Sequence, residues 1–359
     1  MARKSIMVGA VKVGGDAPIS VQSMTTTDTS DISSTVAQIS QLTGLGCDII
    51  RVAVPDKPSA YAIEEIKKQI TIPLVADIHF DHKLALLAIE AGADKIRINP
   101  GNIGSDDKVQ EIAKLCAAKN IPIRVGVNSG SLSSDILAKH GGVTPDALLD
   151  SALEHINLLN KFDFNDICVS VKTSSVPLTV TAYRKLYEKT DYPLHIGITE
   201  AGGEYMGMIK SSIGIGALLL DGIGDTIRVS LTASPEHEVK AAIAILKALG
   251  KRPGFDIISC PTCGRCNIDL MEISSEIDKR LMALEQQHKI QHKEFNKKIS
   301  VAVMGCTVNG PGEASRADYG IAGGKSEGII FKKGNTISKK PMEELVGALI
   351  DAITQGENL

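Results

Sequence analysis

Four cysteines near the end of the chain form the pattern best suited to chemistry. Three of them share one short loop, Cys260-Pro-Thr-Cys263-Gly-Arg-Cys266, and the fourth, Cys306, follows in a later Gly-rich stretch. Thiolates two residues apart on a tight Pro/Gly loop can hold one metal centre, and a third thiolate from a second loop can enclose it. We therefore predict a metal centre held by Cys260, Cys263 and Cys306.

Zinc and an iron–sulfur cluster are the two candidates for this centre. A structural zinc site usually has two paired Cys-x-x-Cys elements or histidines at fixed spacing, whereas the second loop here offers Cys306 alone. The pattern therefore favours an iron–sulfur cluster, with zinc as the alternative. The order of the first loop also differs from the Cys-x-x-x-Cys-x-x-Cys of radical S-adenosylmethionine enzymes, so that chemistry is not indicated.

A repeated strand–helix pattern covers most of the chain before these cysteines. Eight short runs rich in β-branched residues alternate with stretches whose apolar residues recur at helical spacing. Eight such units are typical of a closed (β/α)₈ barrel, whereas an open doubly wound sheet normally has about five or six strands. We predict an α/β fold with a TIM-type barrel over 1–250. Its predicted strands are 17–24, 47–54, 72–79, 95–100, 121–128, 166–172, 193–199 and 226–231.

Three further features complete the predicted organisation. Residues 5–15 indicate an extra short hairpin, and an extended loop over 129–142 is expected to lie over the barrel mouth. The run 250–255 breaks the helical pattern with glycine and proline, so we place a domain boundary at 250 and expect no ninth βα unit. Residues 251–359 are predicted to form a small α+β iron–sulfur domain with a cysteine loop, two helices, one strand and a hairpin.

Polar residues gather near the carboxyl ends of the predicted strands, where barrels of this kind build their active sites. Four arginines and one lysine lie inside strands with apolar neighbours, and buried cations are costly unless an anion is present. Only Asp77 and Glu200 are obvious carboxylates for them, so we predict an electropositive mouth that binds phosphate or diphosphate. The residues collected are Gln22, Ser23, Arg51, Asp77, His79, Arg97, Asn99, Arg124, Asn128, Lys172, Ser174, His195, Glu200, Arg228 and Ser230.

Structural roles are the alternative for each of these residues. An arginine can pair with a helix carboxylate around the barrel, and His79 or His195 can be a hydrogen-bonded core residue instead of a base. Glu200 is the best candidate for proton transfer, with a structural ion pair as its alternative. The run GIGIGALLL lacks a third correctly spaced glycine and follows no strand, so dinucleotide binding is not indicated.

Composition argues against several classes of protein. The net charge of −3 gives no global reason to expect nucleic acid or an anionic membrane as a partner, and the 3% aromatic content without Trp lacks stacking platforms for single strands. No apolar run approaches the ~18 residues of a membrane span. The odd count of seven cysteines argues against a disulfide framework, so we expect a cytoplasmic protein in which Cys47, Cys116 and Cys168 are core residues.

Seven motifs occur together in an order that resembles a known family, the bacterial 4-hydroxy-3-methylbut-2-enyl diphosphate synthases of the methylerythritol phosphate route to isoprenoids. The resemblance covers nearly the whole chain and implies the two-domain bacterial form, since no room remains for the insert of plant-like members. The motifs are VQSMT (21–25), VADIHF (75–80), RINPGNIG (97–104), GITEAGG (197–203), GIGDTIRVSL (222–231), CPTCGR (260–265) and GCTVNGPGEA (305–314).

The resemblance implies an activity and a cofactor. The family opens the ring of 2-C-methyl-D-erythritol 2,4-cyclodiphosphate reductively with loss of water, by two one-electron transfers through a [4Fe-4S] cluster, one per subunit. Reduced flavodoxin or ferredoxin is the implied electron donor, and in the implied homodimer the cluster domain of one subunit caps the barrel of the other. By motif match, Cys260, Cys263, Cys306 and Glu313 are the cluster ligands.

The resemblance also assigns roles within the barrel. His195 and Glu200 would lie near the reacting carbons and act, with Glu313, as catalytic residues. The implied substrate-binding residues are Arg51, Asp77, His79, Arg97, Asn99, Arg124, Asn128, Lys172, Ser174, Arg228 and Ser230.

One departure and two rival interpretations remain. Cys266 is a thiol that the family motif does not require, and it is either an inert neighbour, which we favour, or a competitor of Glu313 for the cluster. The first rival is a non-redox barrel transferase with a structural zinc domain. The second is an iron–sulfur sensor whose barrel only binds a phosphorylated metabolite.

Overall fold

The computed structural model describes residues 3–266, 268–290, 295, 297–306, 312, 314–324, 326–357 and 359. Within the chain, two compact units are distinguished, Met1–Leu249 and Gly250–Leu359. None of the helices in the described ranges combines the length and apolarity that a membrane span requires.

The first unit begins with a hairpin and continues as a barrel of eight parallel strands. The hairpin strands are β1 (Ser5–Val8) and β2 (Val11–Gly14). The barrel strands are β3 (Ser20–Met24), β4 (Ile49–Ala53), β5 (Leu74–Asp77), β6 (Lys95–Ile98), β7 (Ile123–Asn128), β8 (Ile167–Lys172), β9 (His195–Ile196) and β10 (Thr226–Ile227).

The barrel strands pair in the order β8-β7-β6-β5-β4-β3-β10-β9, and a parallel bridge between Val169 and Leu194 joins the two ends. Each predicted barrel strand corresponds to one observed strand, so the predicted (β/α)₈ fold is confirmed. Alternation along each strand explains the two-layer structure, since successive side chains face opposite sides of the sheet. In β6, for example, Ile96 and Ile98 join the core beneath the helices, and Lys95 and Arg97 lie on the other side.

Helices connect the strands and cover the outside of the barrel. Many begin at a capping side chain that accepts a backbone N–H bond, such as Asp31, Asp81 and Thr144, and α1 ends at Gly46 in a left-handed conformation. The helices are α1 (Ile32–Leu45), α2 (Lys57–Lys67), α3 (His82–Glu90), α4 (Pro100–Ile103), α5 (Asp106–Lys119), α6 (Ser134–His140), α7 (Pro145–Asn160), α8 (Val176–Lys189), α9 (Glu204–Leu220) and α10 (Pro235–Ala248).

The amino-terminal hairpin packs onto the barrel. Ile6, Val8 and Val13 form a buried cluster with Ile49 and Val75 from the starts of β4 and β5, together with Cys168 of β8. Apolar contacts of this kind exclude water from the end of the barrel opposite the mouth.

The segment 129–142 is not the extended loop that was expected. It forms a 3₁₀ turn, Ser129–Ser131, followed by α6, which Ser133 caps by accepting a bond from the backbone N–H of Ile136. Leu132 and Ile136 lie four residues apart and are both buried in the barrel core. Burial of this apolar pair favours a helix over an extended loop.

In its described residues, the second unit contains a five-stranded sheet and two helices. Its strands are β11 (Gly254–Ser259), β12 (Lys298–Met304), β13 (Tyr319–Gly323), β14 (Glu327–Lys332) and β15 (Asn335–Pro341), and its helices are α11 (Leu270–Ile290) and α12 (Met342–Glu357). The pairs β11–β12 and β12–β13 are parallel, and the pairs β13–β14 and β14–β15 are antiparallel. Leu281 and Leu349 from the helices pack on Val301, Val303 and Ile321 of the sheet.

Two strands of this sheet escaped prediction from the sequence. We expected no βα unit after residue 250, yet β11 and α11 form one and lead into the parallel strand β12. β11 ends in partly exposed residues, and β13 has two glycines in the sequence YGIAG, which lower the strand signal. This βα unit belongs to the five-stranded sheet, so the barrel still has eight strands.

Candidate active site

Cationic side chains line the interior of the barrel near its mouth. Arg51, Arg97 and Arg124 lie within β4, β6 and β7, Lys172 ends β8, and Arg228 follows β10 directly. Their neighbours along the strands, including Ile50, Ile96 and Val125, belong to the core beneath the helices. Because side chains alternate along a strand, the cations face the inside of the barrel.

Asp77, the last residue of β5, is a central anion of this cluster. Its Oδ1 accepts a hydrogen bond of 3.0 Å from Arg97 Nη1, and its Oδ2 lies 3.6 Å from Arg51 Nε and 3.5 Å from His79 Nε2. Burial alone would raise the pKa of Asp77, but Arg51, the hydrogen bond with His79 and Arg97 hold it well below its ordinary value. Asp77 is therefore a carboxylate that fixes two arginines.

Several guanidinium nitrogens in the cluster have no protein partner. Arg124 Nη1 donates a hydrogen bond of 2.7 Å to Ser170 Oγ. Within the described residues, Arg97 Nε, Arg228 Nε and both remaining nitrogens of Arg124 are buried and without a hydrogen-bond partner. Buried donors are normally paired, so these atoms are free to bind an anion.

Lys172 is buried among these arginines. Burial, followed by the charges of Arg124 and Arg228, lowers the pKa of Lys172 well below its ordinary value. A bound anion would reverse this shift, because a nearby negative charge favours the protonated amine. Lys172 Nζ lies against Gly197, where an added Cβ would come within 2.9 Å of it.

Lys95 is a sixth cation that the sequence analysis missed. The side chain is fully buried at the start of β6, and its Nζ lies 3.5 Å from Gln22 Oε1. Burial, together with Arg124 and Arg51, lowers the pKa of Lys95 to about 8. The missed signal was the alternation that places Lys95 on the same strand face as Arg97.

Glu238 of α10 is a buried carboxylate that was also missed. Its Oε2 accepts a hydrogen bond of 3.3 Å from Ser23 Oγ and lies 3.6 Å from Arg228 Nη2, and its Oε1 accepts one of 2.9 Å from the backbone N–H of Leu231. Glu238 is therefore the carboxylate that pairs with Arg228. Glu200, which we expected to be one of the carboxylates for the cations, is exposed.

The proposed proton-transfer residues lie in contrasting environments. His195, at the start of β9, is fully buried, and both ring nitrogens lack a hydrogen-bond partner within the described residues. Burial, and then Lys172 and Arg124, lowers the pKa of His195 well below its ordinary value, so the imidazole is neutral. Glu200 has a left-handed backbone with φ of 51°, an uncommon conformation for a residue other than glycine.

The remaining predicted residues include two that cap short turns. The Asn99 side chain accepts a bond of 3.3 Å from Gly101 N and caps α4, and Asn128 caps the 3₁₀ turn with Ser131. Ser174 is exposed after β8, Ser230 is half-buried after β10, and the ring of His79 is largely exposed. The two asparagines therefore have local structural roles whether or not they touch a ligand.

The charge balance of the barrel interior is strongly positive. Among the described residues, two carboxylates, Asp77 and Glu238, face six cations, and His195 adds no charge. Holding this many like charges in one buried space is unfavourable unless an anion binds. The arrangement is suited to a polyanion such as a diphosphate, which arginines can bind through two parallel N–H bonds. The six cations are Arg51, Lys95, Arg97, Arg124, Lys172 and Arg228.

The cysteine loops of the second unit follow neighbouring parallel strands. Ser259 pairs with Val303, so Cys260 directly after β11 and Cys306 shortly after β12 leave the same edge of the sheet. The backbone N–H of Gly305 donates a 3.3 Å bond to Cys260 Sγ. Cys306 is buried, Cys260 is partly exposed, and Cys263 is exposed on its loop.

Cys266 points back into its own loop. Its thiol donates a bond of 3.3 Å to the Ile268 carbonyl, and its sulfur packs against Gly305. Among the described residues, no group of three His, Cys, Asp or Glu side chains is arranged to hold a metal ion. The predicted ligand and catalytic residue Glu313 lies outside the described residues.

The fold and site define a class, an eight-stranded α/β-barrel protein with a cationic barrel interior and a second, cysteine-bearing α+β unit. Two family models match the chain and show the family within this class. The GcpE TIM-barrel domain matches residues 3–243, and the GcpE protein C-terminal domain matches residues 256–355. The chain belongs to the GcpE family, which confirms the resemblance found in the sequence.

Two similar proteins carry the same name. The chain is 56% identical over 351 residues to a protein of Clostridium perfringens, with 98% of this chain and 97% of that protein covered. It is 54% identical to a protein of Caldanaerobacter subterraneus, with 98% and 96% covered. Both proteins are named 4-hydroxy-3-methylbut-2-en-1-yl diphosphate synthase (flavodoxin).

Among solved structures, a dihydropteroate synthase from Stenotrophomonas maltophilia has a TM-score of 0.50 at 15% identity. The match covers 68% of this chain and 96% of that one. At this identity the likeness concerns the barrel fold alone.

Gly126 of β7 provides space for Arg97, and a substitution there tests the arginine cluster. A Cβ at residue 126 would lie 2.8 Å from Arg97 Nε, so Gly126→Ala should displace the guanidinium from Asp77. We expect a loss of about 1–3 kcal/mol in the free energy of unfolding, measured by urea denaturation. The control is Gly130→Ala, since Gly130 has open space around its Cβ position. Equal stability of the two variants would contradict the packing argument.

Replacing Lys95 should stabilise the folded protein. The folded state holds Lys95 at a pKa of about 8 against an ordinary 10.5, so it carries the cost of a buried charge in full below pH 8. Lys95→Met should raise the unfolding free energy at pH 7 by about 1–4 kcal/mol, and the gain should shrink as pH rises from 8 towards 10.5. The exposed Lys12→Met change is the control, and a pH-independent effect of Lys95→Met would count against this electrostatic origin.

Proposed function

We propose that this chain converts 2-C-methyl-D-erythritol 2,4-cyclodiphosphate into 4-hydroxy-3-methylbut-2-enyl diphosphate and water. This is the activity for which its relatives are named, and the chain matches them over nearly their whole length. The observation that carries the proposal is the excess of buried cations in the barrel, with guanidinium nitrogens that lack protein partners among the described residues. A diphosphate is a ligand that suits this charge.

The reaction determines what the site must supply. The C–O bond between the tertiary carbon and the diphosphate breaks, the neighbouring hydroxyl leaves as water, and a double bond forms between the two carbons. Counted as neutral acids, substrate and product balance when two electrons and two protons are added. Reduced flavodoxin, which the relatives' name specifies, supplies the electrons, and ferredoxin is the alternative donor.

The diphosphate is held by the cations of the barrel. Arg97, Arg124 and Arg228 offer the nitrogens without protein partners, and Arg51 and Lys172 add charge beside them. Asp77 and Glu238 fix the arginines before the substrate arrives, which lowers the entropy cost of binding. We assign supporting contacts to His79, Asn99, Asn128, Ser174 and Ser230.

His195 and Glu200 are assigned to the reacting part of the substrate. The neutral imidazole of His195 can donate one N–H bond to a substrate oxygen and accept another bond at its second nitrogen. Glu200 is an exposed carboxyl group that can exchange protons with water and carry them to the site. The left-handed backbone at Glu200 is an outlier of the kind found at functional positions.

We infer that Cys260, Cys263, Cys306 and Glu313 hold one [4Fe-4S] cluster. The donor set is appropriate, because thiolates are the usual ligands of such clusters and two of the cysteine positions follow paired parallel strands. The N–H bond from Gly305 to Cys260 Sγ is a contact that stabilises a thiolate. When bound, the cluster supplies single electrons and, at an iron with a displaceable carboxylate, a Lewis acid.

The contacts of Cys266 support its interpretation as a neighbour of the cluster. The Cys266 sulfur lies 3.3 Å from the Ile268 carbonyl oxygen, a contact within its own loop that engages the side chain without a metal. The rival interpretation, a non-redox transferase with a structural zinc domain, has no support from the relatives, which carry the name of the flavodoxin-dependent synthase.

Anaerobic turnover tests the proposal. The full chain, loaded with iron and sulfide, is mixed with reduced flavodoxin and the cyclic diphosphate, and mass spectrometry should detect the linear diphosphate. Cys306→Ser should lose bound iron and sulfide as well as turnover, because a ligand is removed. The matched change Cys266→Ser should keep both. A colourless protein with one bound zinc would contradict the cluster hypothesis. Binding of the cyclic diphosphate without formation of product would favour the iron–sulfur sensor over the enzyme.

Exposed apolar residues on α9 support the predicted homodimer. Met206, Ile213 and Leu220 are exposed and recur every seven residues, which places them on one side of the helix, with Tyr205 beside them. In the dimer we propose, the cluster domain of one subunit caps the barrel of the other. A flavodoxin donor and cysteines outside disulfides suit the cytoplasm, and that location stays a prediction.

A charge on this stripe should weaken the dimer. Ile213→Glu places a carboxylate in the apolar stripe, so light scattering after gel filtration should detect a shift towards monomer. Tyr61→Glu is the matched control, since Tyr61 is exposed on a different helix, α2. A dimer that survives Ile213→Glu would exclude this face of α9 as the interface.

A further inference from the structure

The barrel closes between β8 and β9, where its backbone pairing is sparsest. The two strands share one bridge, Val169 with Leu194, whereas every other neighbouring pair has at least two paired positions. At this bridge the Val169 N–H donates to the Pro193 carbonyl at 2.9 Å. In a parallel ladder, the next bond would run from the Val171 N–H to the His195 carbonyl.

The hydroxyl of Tyr183 occupies the position of that bond. The Val171 N–H donates to Tyr183 Oη at 3.2 Å, and Tyr183 Oη donates to the His195 carbonyl at 2.6 Å. Tyr183 reaches this point from α8 and is fully buried. Burial raises the pKa of the phenol, so it keeps the proton that it donates.

The two strands joined by this hydroxyl carry two residues of the site. Lys172 follows Val171 directly, and His195 supplies the carbonyl oxygen itself. Beyond the hydroxyl, Gly197 approaches Lys172 Nζ so closely that an added Cβ would lie 2.9 Å from it. The distance between β8 and β9 therefore sets the distance between the Lys172 amine and the His195 ring.

We propose that Tyr183 is a positioning residue for the anion site. Its hydroxyl acts as a spacer between β8 and β9 and holds Lys172 and His195 in the arrangement that binds the diphosphate. The inference rests on the proposed function, because it assigns the Lys172–His195 pair to substrate binding. Without the hydroxyl, the Val171 N–H and the His195 carbonyl lose their partner, and the strands must move to satisfy them.

Tyr183→Phe tests the spacer, and Tyr192→Phe is the matched control. Tyr192 is also buried in the barrel, with its phenol oxygen 2.8 Å from Asn160 Oδ1 and 3.0 Å from Asn165 Oδ1. Among the described residues, its hydroxyl makes no hydrogen bond to a site strand. Both variants lose one buried hydroxyl, so both should melt at lower temperature. Only Tyr183→Phe should raise the Kd for inorganic diphosphate, by at least about tenfold, measured by calorimetry on the full chain.

A double-variant cycle separates positioning from general destabilisation. If Tyr183 acts through Lys172, adding Tyr183→Phe to Lys172→Met should raise Kd by less than the product of the two single effects. Installing 4-aminophenylalanine at position 183 keeps a donor for the His195 carbonyl but only a weak acceptor for the Val171 N–H, so Kd should fall between the values of Tyr183→Phe and the wild type. If the Tyr183→Phe protein does not fold, the Kd of the 4-aminophenylalanine variant for diphosphate still tests the spacer.

Three results of the variant tests would overturn the inference. They are an unchanged Kd in a destabilised Tyr183→Phe protein, equal Kd changes in Tyr183→Phe and Tyr192→Phe, and multiplicative effects with Lys172→Met. Wild-type protein that binds diphosphate but never produces the linear product would refute the proposed function, while the affinities would still decide the role of Tyr183. Wild-type protein without diphosphate affinity would overturn both.

Discussion

Uncompensated positive charge inside the barrel is the constraint on which the site depends. Arg51, Arg97 and Arg124 converge on one space, where Asp77 pairs with Arg51 and Arg97, and each arginine lies on a strand whose other face is packed under helices. Repulsion among these groups favours their separation, and the hydrogen-bonded barrel prevents it. The folded protein therefore favours the binding of an anion. Without a ligand, the repulsion among these cations lowers its free energy of unfolding.

The barrel itself could be predicted from the sequence because its strands are so regular. In β6, Lys95-Ile96-Arg97-Ile98 alternates polar and apolar residues, and similar runs recur at the spacing of a βα unit. The cationic mouth followed from the same alternation, since a cation between two buried isoleucines must face the other side. The cysteine pattern and the family motifs were equally readable, because their information lies in local spacing.

What could not be predicted depends on contacts between distant segments. Lys95 opens a strand, a position where lysine usually reaches solvent, and although alternation places it on the same face as Arg97, its full burial depends on the surrounding barrel. Glu238 lies on a helix, where a carboxylate is normally solvated, and its contact with Arg228 joins α10 to the end of β10. Strand β13 has too many glycines to be recognised without its partners β12 and β14.

The parallel pairing of β11 with β12 would also affect how the second unit binds the proposed metal centre. Residues between Cys260 and Cys306 form a closed loop once Ser259 pairs with Val303, and the entropy of closing that loop is lost during folding. An unfolded peptide with the same cysteines would lose that entropy during metal binding instead. The sheet would therefore make assembly of the proposed centre a local event at one edge, largely uncoupled from the folding of the chain around it.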